Sequence, residues 1–169
     1  MKPVNIGMLG LGTVGSGVVR IVEGHQEDLV RQIGAPVKIS KIAVRNLNKA
    51  RRVTVDPSML TDDPWEVIND PDIDVVVEVM GGVEQTLEYM LAALERGKHI
   101  VTANKDLIAQ HGPKILAKAA EKRCDVMYEA SVAGGIPILR TLVEGFSSDR
   151  ITKIMGIVNG TTNYILTKM

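Results

Sequence analysis

Near its start the chain reads Val4-Asn5-Ile6-Gly7-Met8-Leu9-Gly10-Leu11-Gly12-Thr13-Val14-Gly15, an apolar run that closes in a G-x-G-x-x-G triplet. A strand feeding such a turn and then a helix is the way main chain grips a dinucleotide pyrophosphate. Each glycine has its own task. Gly10 permits the tight turn out of the strand, Gly12 lets backbone approach the phosphates, and Gly15 lets the helix lie flat on the strand. The helix N-terminus then offers unpaired N–H groups and a partial positive charge to the anion. The alternative is an ordinary glycine turn. The strand-like run before the triplet and the helix-like run after it favour the ligand.

The rest of the chain repeats that strand-helix alternation. Val4 to Leu9 is the first expected strand. A helix follows from Thr13 to about Ile33, interrupted at Gly24, with Val14, Val18, Ile21, Val22, Leu29 and Ile33 near one face. Val37 to Val44 reads as a second strand, placed toward a sheet edge because Lys38, Ser40 and Lys41 break its apolar run. Residues 46–60 are basic and irregular. Asp63-Pro64-Trp65-Glu66 carries a helix start, with Asp63 as N-cap and Pro64 in the first turn. Asp74 to Met80 is a strand, Gly81-Gly82 its exit turn, and Val83 to Arg96 a helix closed by Gly97. His99 to Thr102 is the next strand. Two helices are expected after it, Asn104 to Gln110 and Pro113 to Lys122, and then a strand from Cys124 to Glu129.

Short turns between alternating elements imply a parallel sheet with right-handed crossovers and helices on both faces, a Rossmann-like doubly wound α/β fold. The domain is expected to cover residues 1–133. From residue 134 to 169 the style changes: a glycine-rich hinge, a helix from Ile138 to Phe146, an isolated strand from Arg150 to Val158, and a turn at Asn159 leading into a last helix. These read as the hinge and first elements of a second α+β domain for catalysis or dimerisation.

Composition excludes several function classes. The formal net charge is zero, so nothing marks a nucleic-acid or acidic-lipid partner. Aromatics make up 3% of residues, too few for base-stacking surfaces. Cys124 is the single cysteine, which rules out a disulfide within the chain. His25, His99 and His111 lack the spacing of zinc ligands. The apolar N-terminus is interrupted by glycines and has no A-x-A site, so a folded corner is expected rather than a secretory signal. A soluble cytoplasmic protein is the expectation.

Four positions carry chemistry. Coenzyme choice is read at the end of the second strand, where an acidic residue would bind a ribose 2′-OH. Arg45 stands there, with Lys49, Arg51 and Arg52 behind it, and a guanidinium suits a 2′-phosphate. NADP is therefore favoured and NAD stays open; a solvated basic loop is the plainer reading of the last three. Lys105 follows a strand at the same sheet edge. As a cation it could stabilise alkoxide charge during hydride transfer, or with a depressed pKa pass a proton; the alternative is a surface lysine at a helix start. Glu78 lies inside the most apolar strand and needs partners there, either beside the coenzyme or as a structurally paired carboxylate. Gly81, with Gly82, either lets backbone approach the coenzyme or forms a plain turn. Cys124 opens a strand and suits a small core residue better than a nucleophile.

Taken in order, Gly10-x-Gly12-x-x-Gly15, Ala103-Asn104-Lys105, the run Glu129 to Pro137 and Asn159-Gly160-Thr161-Thr162-Asn163 resemble homoserine dehydrogenases over essentially the whole chain. The resemblance implies NAD(P)-dependent interconversion of L-homoserine and L-aspartate 4-semialdehyde, a step toward threonine, methionine and isoleucine. It implies that Thr13, Val14 and Arg45 contact the coenzyme beside the glycines, and that Lys105 lies near nicotinamide and substrate. It further implies a monovalent cation, usually sodium, on the backbone oxygens of Glu129, Val132, Gly134 and Ile136. Hard cations prefer such oxygens. Members of that family continue beyond the last helix, where the substrate-binding carboxylates, another catalytic lysine and most of the dimer-forming sheet lie. The chain is thus expected to be an N-terminal fragment of a homodimer or larger assembly, able to bind dinucleotide but without turnover alone. A non-catalytic dinucleotide-binding module and another NADP dehydrogenase on the same fold, such as a semialdehyde dehydrogenase, are the alternatives.

Overall fold

The computed structural model describes residues 1–157 and 160–169. Six parallel strands form one sheet: β1 (Val4–Leu9), β2 (Val37–Ala43), β3 (Leu60–Thr61), β4 (Val75–Glu78), β5 (His99–Thr102) and β6 (Val126–Met127). Their spatial order is β3-β2-β1-β4-β5-β6. Chain direction across the sheet therefore reverses between β1 and β4, and ligands of such sheets bind in the crevice outside that point.

The alternation of side chains along β1 divides the core. Ile6 and Met8 pack with Val19 and Val22 of α1 (Thr13–Gly24), together with Val37, Ile42 and Val77. Leu9 faces the opposite layer, where α3 (Pro64–Asn69), α4 (Glu84–Glu95) and α5 (Lys105–Lys122) bury Val67, Ile68, Met90, Leu94, Leu107 and Ile115. On that face Gly7 has no room for a side chain. A Cβ there would stand 2.5 Å from Val67 Cγ1 and 2.7 Å from an Ile73 methyl, so α3 can lie close against the strand.

Local chemistry sets the element ends. Asp63 accepts a hydrogen bond from Trp65 N at 2.9 Å and Pro64 sits in the first turn, so α3 starts where the sequence places it. The Trp65 and Tyr89 rings meet nearly perpendicular with centroids 5.3 Å apart, joining α3 to α4. Buried Lys98 donates to the carbonyls of Asp70 and Ile73, covering the end of α3 and the loop into β4. β2 gains one extra residue against β1 between Ile6 and Gly7, a bulge that leaves Ser40 unpaired.

Several expectations change. The first long helix is two, α1 and α2 (Gln26–Ile33), parted at His25. Its buried face is Gly15, Ser16, Val19 and Val22, while Val14, Ile21 and Ile33 stay exposed. The break at His25 lets α2 turn away, and the single stripe drawn through both helices dissolves. Residues 57–61 form a tight turn and the edge strand β3, too short to leave a periodic trace. The two helices expected around Pro113 are one, α5. Proline removes one backbone bond, but Leu107, Gly112, Ile115 and Ala119 are buried on both sides of it, and packing carries the helix through. The expected strand from Cys124 to Glu129 shrinks to Val126–Met127, because Glu129–Ser131 coils into a tight turn. Residues 150–157 hold no regular element, and Val158, the end of the strand expected there, lies outside the described residues along with Asn159. After the hinge come α6 (Ile138–Arg140), a wide turn over Thr141–Gly145, and α7 (Gly160–Lys168). Among the described residues no helix is long and apolar enough to cross a membrane.

Candidate functional site

The carboxyl ends of β1, β2, β4 and β5 form one edge, and two clefts open along it on either side of Val79. The first, ≈ 290 Å³, is lined by Gly10, Leu11 and Gly12 of the β1 exit, by Val44 to Asn46 and Lys49 after β2, and by Asp62. The second, ≈ 270 Å³, is lined by Val14, Glu78, Gly81 and Ala103 to Asp106. An extended ligand lying across the switch point would place one end in each.

The start of α1 stands between them. Gly10 has φ +108°, and a Cβ there would meet Val79 O at 2.8 Å. A Cβ on Gly15 would stand 2.5 Å from Gly10 O, so both glycines are required by the chain's own packing. Gly12 differs, since a Cβ there meets no protein atom within 4 Å. The main chain at Gly12 therefore lies open at the first cleft, accessible to a molecule outside the chain. The helix supports that. α1 has no side-chain cap at Gly12 and no acidic residue in its first turn, so its N-terminal N–H groups and partial positive charge face the cleft. Thr13 and Val14 are exposed beside it.

Arg45 is exposed at the mouth of the first cleft and makes no hydrogen bond or ion pair among the described residues. Arg51 is committed elsewhere. Its guanidinium donates to the carbonyls of Asn46, Leu47 and Lys49, and so builds the loop that presents Arg45 and Lys49. This task within the loop was invisible in the sequence, where Lys49, Arg51 and Arg52 read alike as a solvated basic loop behind Arg45.

Lys105 opens α5 at the second cleft, exposed and likewise unpaired among the described residues. Asn104 caps that helix, accepting from Leu107 N at 3.2 Å. Beneath the cleft, Glu78 is fully buried and accepts hydrogen bonds from Met80 N, Gly81 N and Thr102 Oγ1. Of its two sequence readings, the structurally paired carboxylate is what these bonds show, and the residue also lines the second cleft. Cys124 is half-buried against the core; burial, seconded by the Asp125 charge, pushes its thiol up, which does not suit a nucleophile.

The sequence matches two family models, that of the homoserine dehydrogenase NAD-binding domain over residues 10–129 and that of homoserine dehydrogenase over residues 137–169. The chain belongs to the homoserine dehydrogenase family. The homoserine dehydrogenase of Bacillus subtilis is 62% identical over all 169 residues, which are 39% of its own length. That of Pseudomonas aeruginosa is 47% identical over the whole chain and 38% of its length. Among solved structures, a homoserine dehydrogenase from Thiobacillus denitrificans superposes with a TM-score of 0.88 at 44% identity, covering the whole chain and 39% of the other. One from S. aureus at pH 6.0 gives 0.82 at 43%, again over the whole chain and 42% of the other. The chain thus spans about two-fifths of the relatives it matches.

The homoserine dehydrogenase signature after β6 forms a compact corner. Glu129 O accepts from Val132 N, and Ile136 O from Ile138 N. Ala133 and Gly134 both have positive φ, which reverses the chain between these carbonyls. The Glu129 side chain reaches across to accept from Leu139 N at 2.8 Å and Arg140 N at 3.1 Å, and so caps α6. Ser131 Oγ donates to Thr102 O, tying the corner to the end of β5. Among the described residues no cluster of His, Cys, Asp and Glu side chains could hold a metal.

Proposed function

We propose that this chain binds NADP at the β1–α1 corner and forms the coenzyme half of an oxidoreductase that interconverts L-homoserine and L-aspartate 4-semialdehyde. The observation that carries the reading is Gly12, bare toward open space at an uncapped helix start, between two clefts. A dinucleotide is the ligand whose charged centre and two ends match that arrangement. The coenzyme, when bound, supplies or accepts the hydride. The chain's own residues do the rest. Gly10, Gly12, Thr13, Val14 and Gly15 present main chain to the pyrophosphate, and Gly81 does so at the nicotinamide end. Arg45 offers two parallel donors to a 2′-phosphate. Lys105 holds its ammonium at the second cleft, where it stabilises alkoxide charge as it develops on the substrate oxygen.

The same reading extends to the corner after β6. Glu129, Val132, Gly134 and Ile136 offer main-chain oxygens, a donor set that suits a hard monovalent cation such as sodium. The two carbonyls already bonded within the turn each keep a second lone pair. Residues 134–169 open a second domain in this reading. Substrate recognition, turnover and assembly into a homodimer or larger oligomer require chain outside these 169 residues.

Titration of NADPH and NADH tests the proposal. NADPH should bind more tightly, and Arg45→Ala should cut its advantage by about tenfold, the loss of a charged hydrogen-bonded contact. Gly12→Ala should weaken both coenzymes while leaving the fold intact. Equal affinities before and after Arg45→Ala would remove Arg45 as the phosphate reader. Homoserine-dependent reduction of NADP by this chain alone would overturn the need for further chain.

A further inference from the structure

Glu78 is the one buried carboxylate among the described residues, and no ammonium or guanidinium group there lies within ion-pair distance of it. A carboxylate so placed is tolerable only where donors surround it. Three do, two from the turn after β4 and one from the last residue of β5. Its Oε1 accepts from Met80 N at 2.9 Å and Gly81 N at 3.2 Å, both in the turn that leaves β4. Its Oε2 accepts from Thr102 Oγ1 at 2.6 Å, at the end of β5. Thr102 Oγ1 in turn accepts from Asn104 N at 3.0 Å, and Asn104 Nδ2 donates to Gly82 O at 2.7 Å. The chain of bonds closes on itself: β4 exit to β5 exit through Glu78 and Thr102, and back through Asn104.

What the ring holds is the wall of the second cleft. Gly81 and Gly82 both have positive φ, which glycine adopts without strain, so the turn is held by its hydrogen bonds, to which Thr86 Oγ1 adds one to Gly81 O. Asn104 sits immediately before Lys105 and caps its helix. Moving either turn moves the cleft.

We propose that Glu78 is a positioning residue for the nicotinamide side of the site: it clamps the Met80–Gly82 turn to the Thr102–Asn104 turn, so that Gly81 and Lys105 keep one arrangement toward the ligand. The inference rests on the dinucleotide reading, and the experiment separates the two. The ligands are the coenzyme the chain prefers and its adenosine half alone, NADPH with 2′,5′-ADP or NADH with ADP. Each is titrated against the unmodified chain, Glu78→Gln, Thr102→Val and Thr102→Ser.

The adenosine half never reaches the second cleft, so its affinity should stay within about twofold in every variant, below one hydrogen bond's effect. Coenzyme affinity should fall by about tenfold in Glu78→Gln and Thr102→Val, the effect of losing one buried hydrogen bond to a charged acceptor. Thr102→Ser, which keeps the hydroxyl, should restore most of it. A purely structural role predicts equal losses for both ligands, and that result overturns the inference. So does unchanged coenzyme affinity in Glu78→Gln. Should Glu78→Gln fail to fold, the contrast between Thr102→Val and Thr102→Ser decides alone: rescue by serine supports the clamp, and equal affinities overturn it. If the unmodified chain binds neither ligand, the dinucleotide reading itself fails and takes this inference with it.

Discussion

Before the corner at Glu129 and after it, the same residue types meet opposite fates. In the sheet and its helices Met90, Leu94, Ile100 and Ile115 are entirely buried. In the later stretch Ile154 is 69% exposed, Met155 80% and Leu166 65%. None of residues 134–157, 160 and 162–169 is buried. Apolar content is not what separates the two regions. A parallel sheet brings strands drawn from residues 4–127 into adjacent register, so apolar side chains find partners from distant parts of the chain. The later helices contact mainly their neighbours in sequence, and a helix of nine residues cannot close a core on its own. Burial is a property of partners, and only the first region holds its own.

Paired substitutions can break that comparison or sharpen it. The largest difference is expected between Leu94→Ala and Leu166→Ala. The first empties a filled core site and should cost about 2–5 kcal/mol, whereas the second should stay within about 0.5 kcal/mol. Urea midpoints measure both, and equal losses would dissolve the contrast. A smaller difference is expected between two glycines of positive φ. Gly134→Ala adds a Cβ in open space, so only backbone strain of about 1–2 kcal/mol is expected. Gly10→Ala carries similar strain and a collision with Val79 backbone, adding about 1–3 kcal/mol. Similar midpoints for the two would mean that the first turn is looser than its geometry.

The smallest effect concerns exposed charge. Hydrogen bonds from Lys122 and then Lys118 hold the Glu95 carboxyl below the ordinary carboxylate range, and so bridge α4 to α5. A lowered folded value means stability that is present above the unfolded value and lost as pH falls through the folded one. Glu95→Gln should therefore flatten the acid limb of the stability curve slightly, with an effect that shrinks in salt. Glu144, paired with Arg140 one turn away within the later region, joins nothing distant. An acid limb unchanged by Glu95→Gln would show that the bridge contributes nothing.

Much of this was legible beforehand because it rests on local rules. The glycine triplet, the Asp63 cap and the alternation of strands with helices are short-range patterns, and all three reappear in space. The failures came where distant contacts outvote local preference. Pro113 should end a helix and does not, because buried residues on both sides hold α5 together. Arg150 to Ile157 has the look of a strand, but a strand needs a neighbour to bond with, and the described residues provide none. Arg51 is a different case: it read as a solvated loop residue behind Arg45, and its bonds to three carbonyls of its own loop are short-range but appear only once that loop is folded.

Residue order alone determined the family, the parallel α/β class and the corner at Gly10 to Gly15, since each depends on spacing along a few consecutive residues. Tertiary structure alone decided which basic group stays free at the cleft, where the chain stops burying itself, and how Glu78 closes a ring with Thr102 and Asn104. The ring depends on groups more than twenty residues apart meeting within about 3 Å, burial depends on partners from distant strands, and even the short-range bonds of Arg51 form only once its loop has folded.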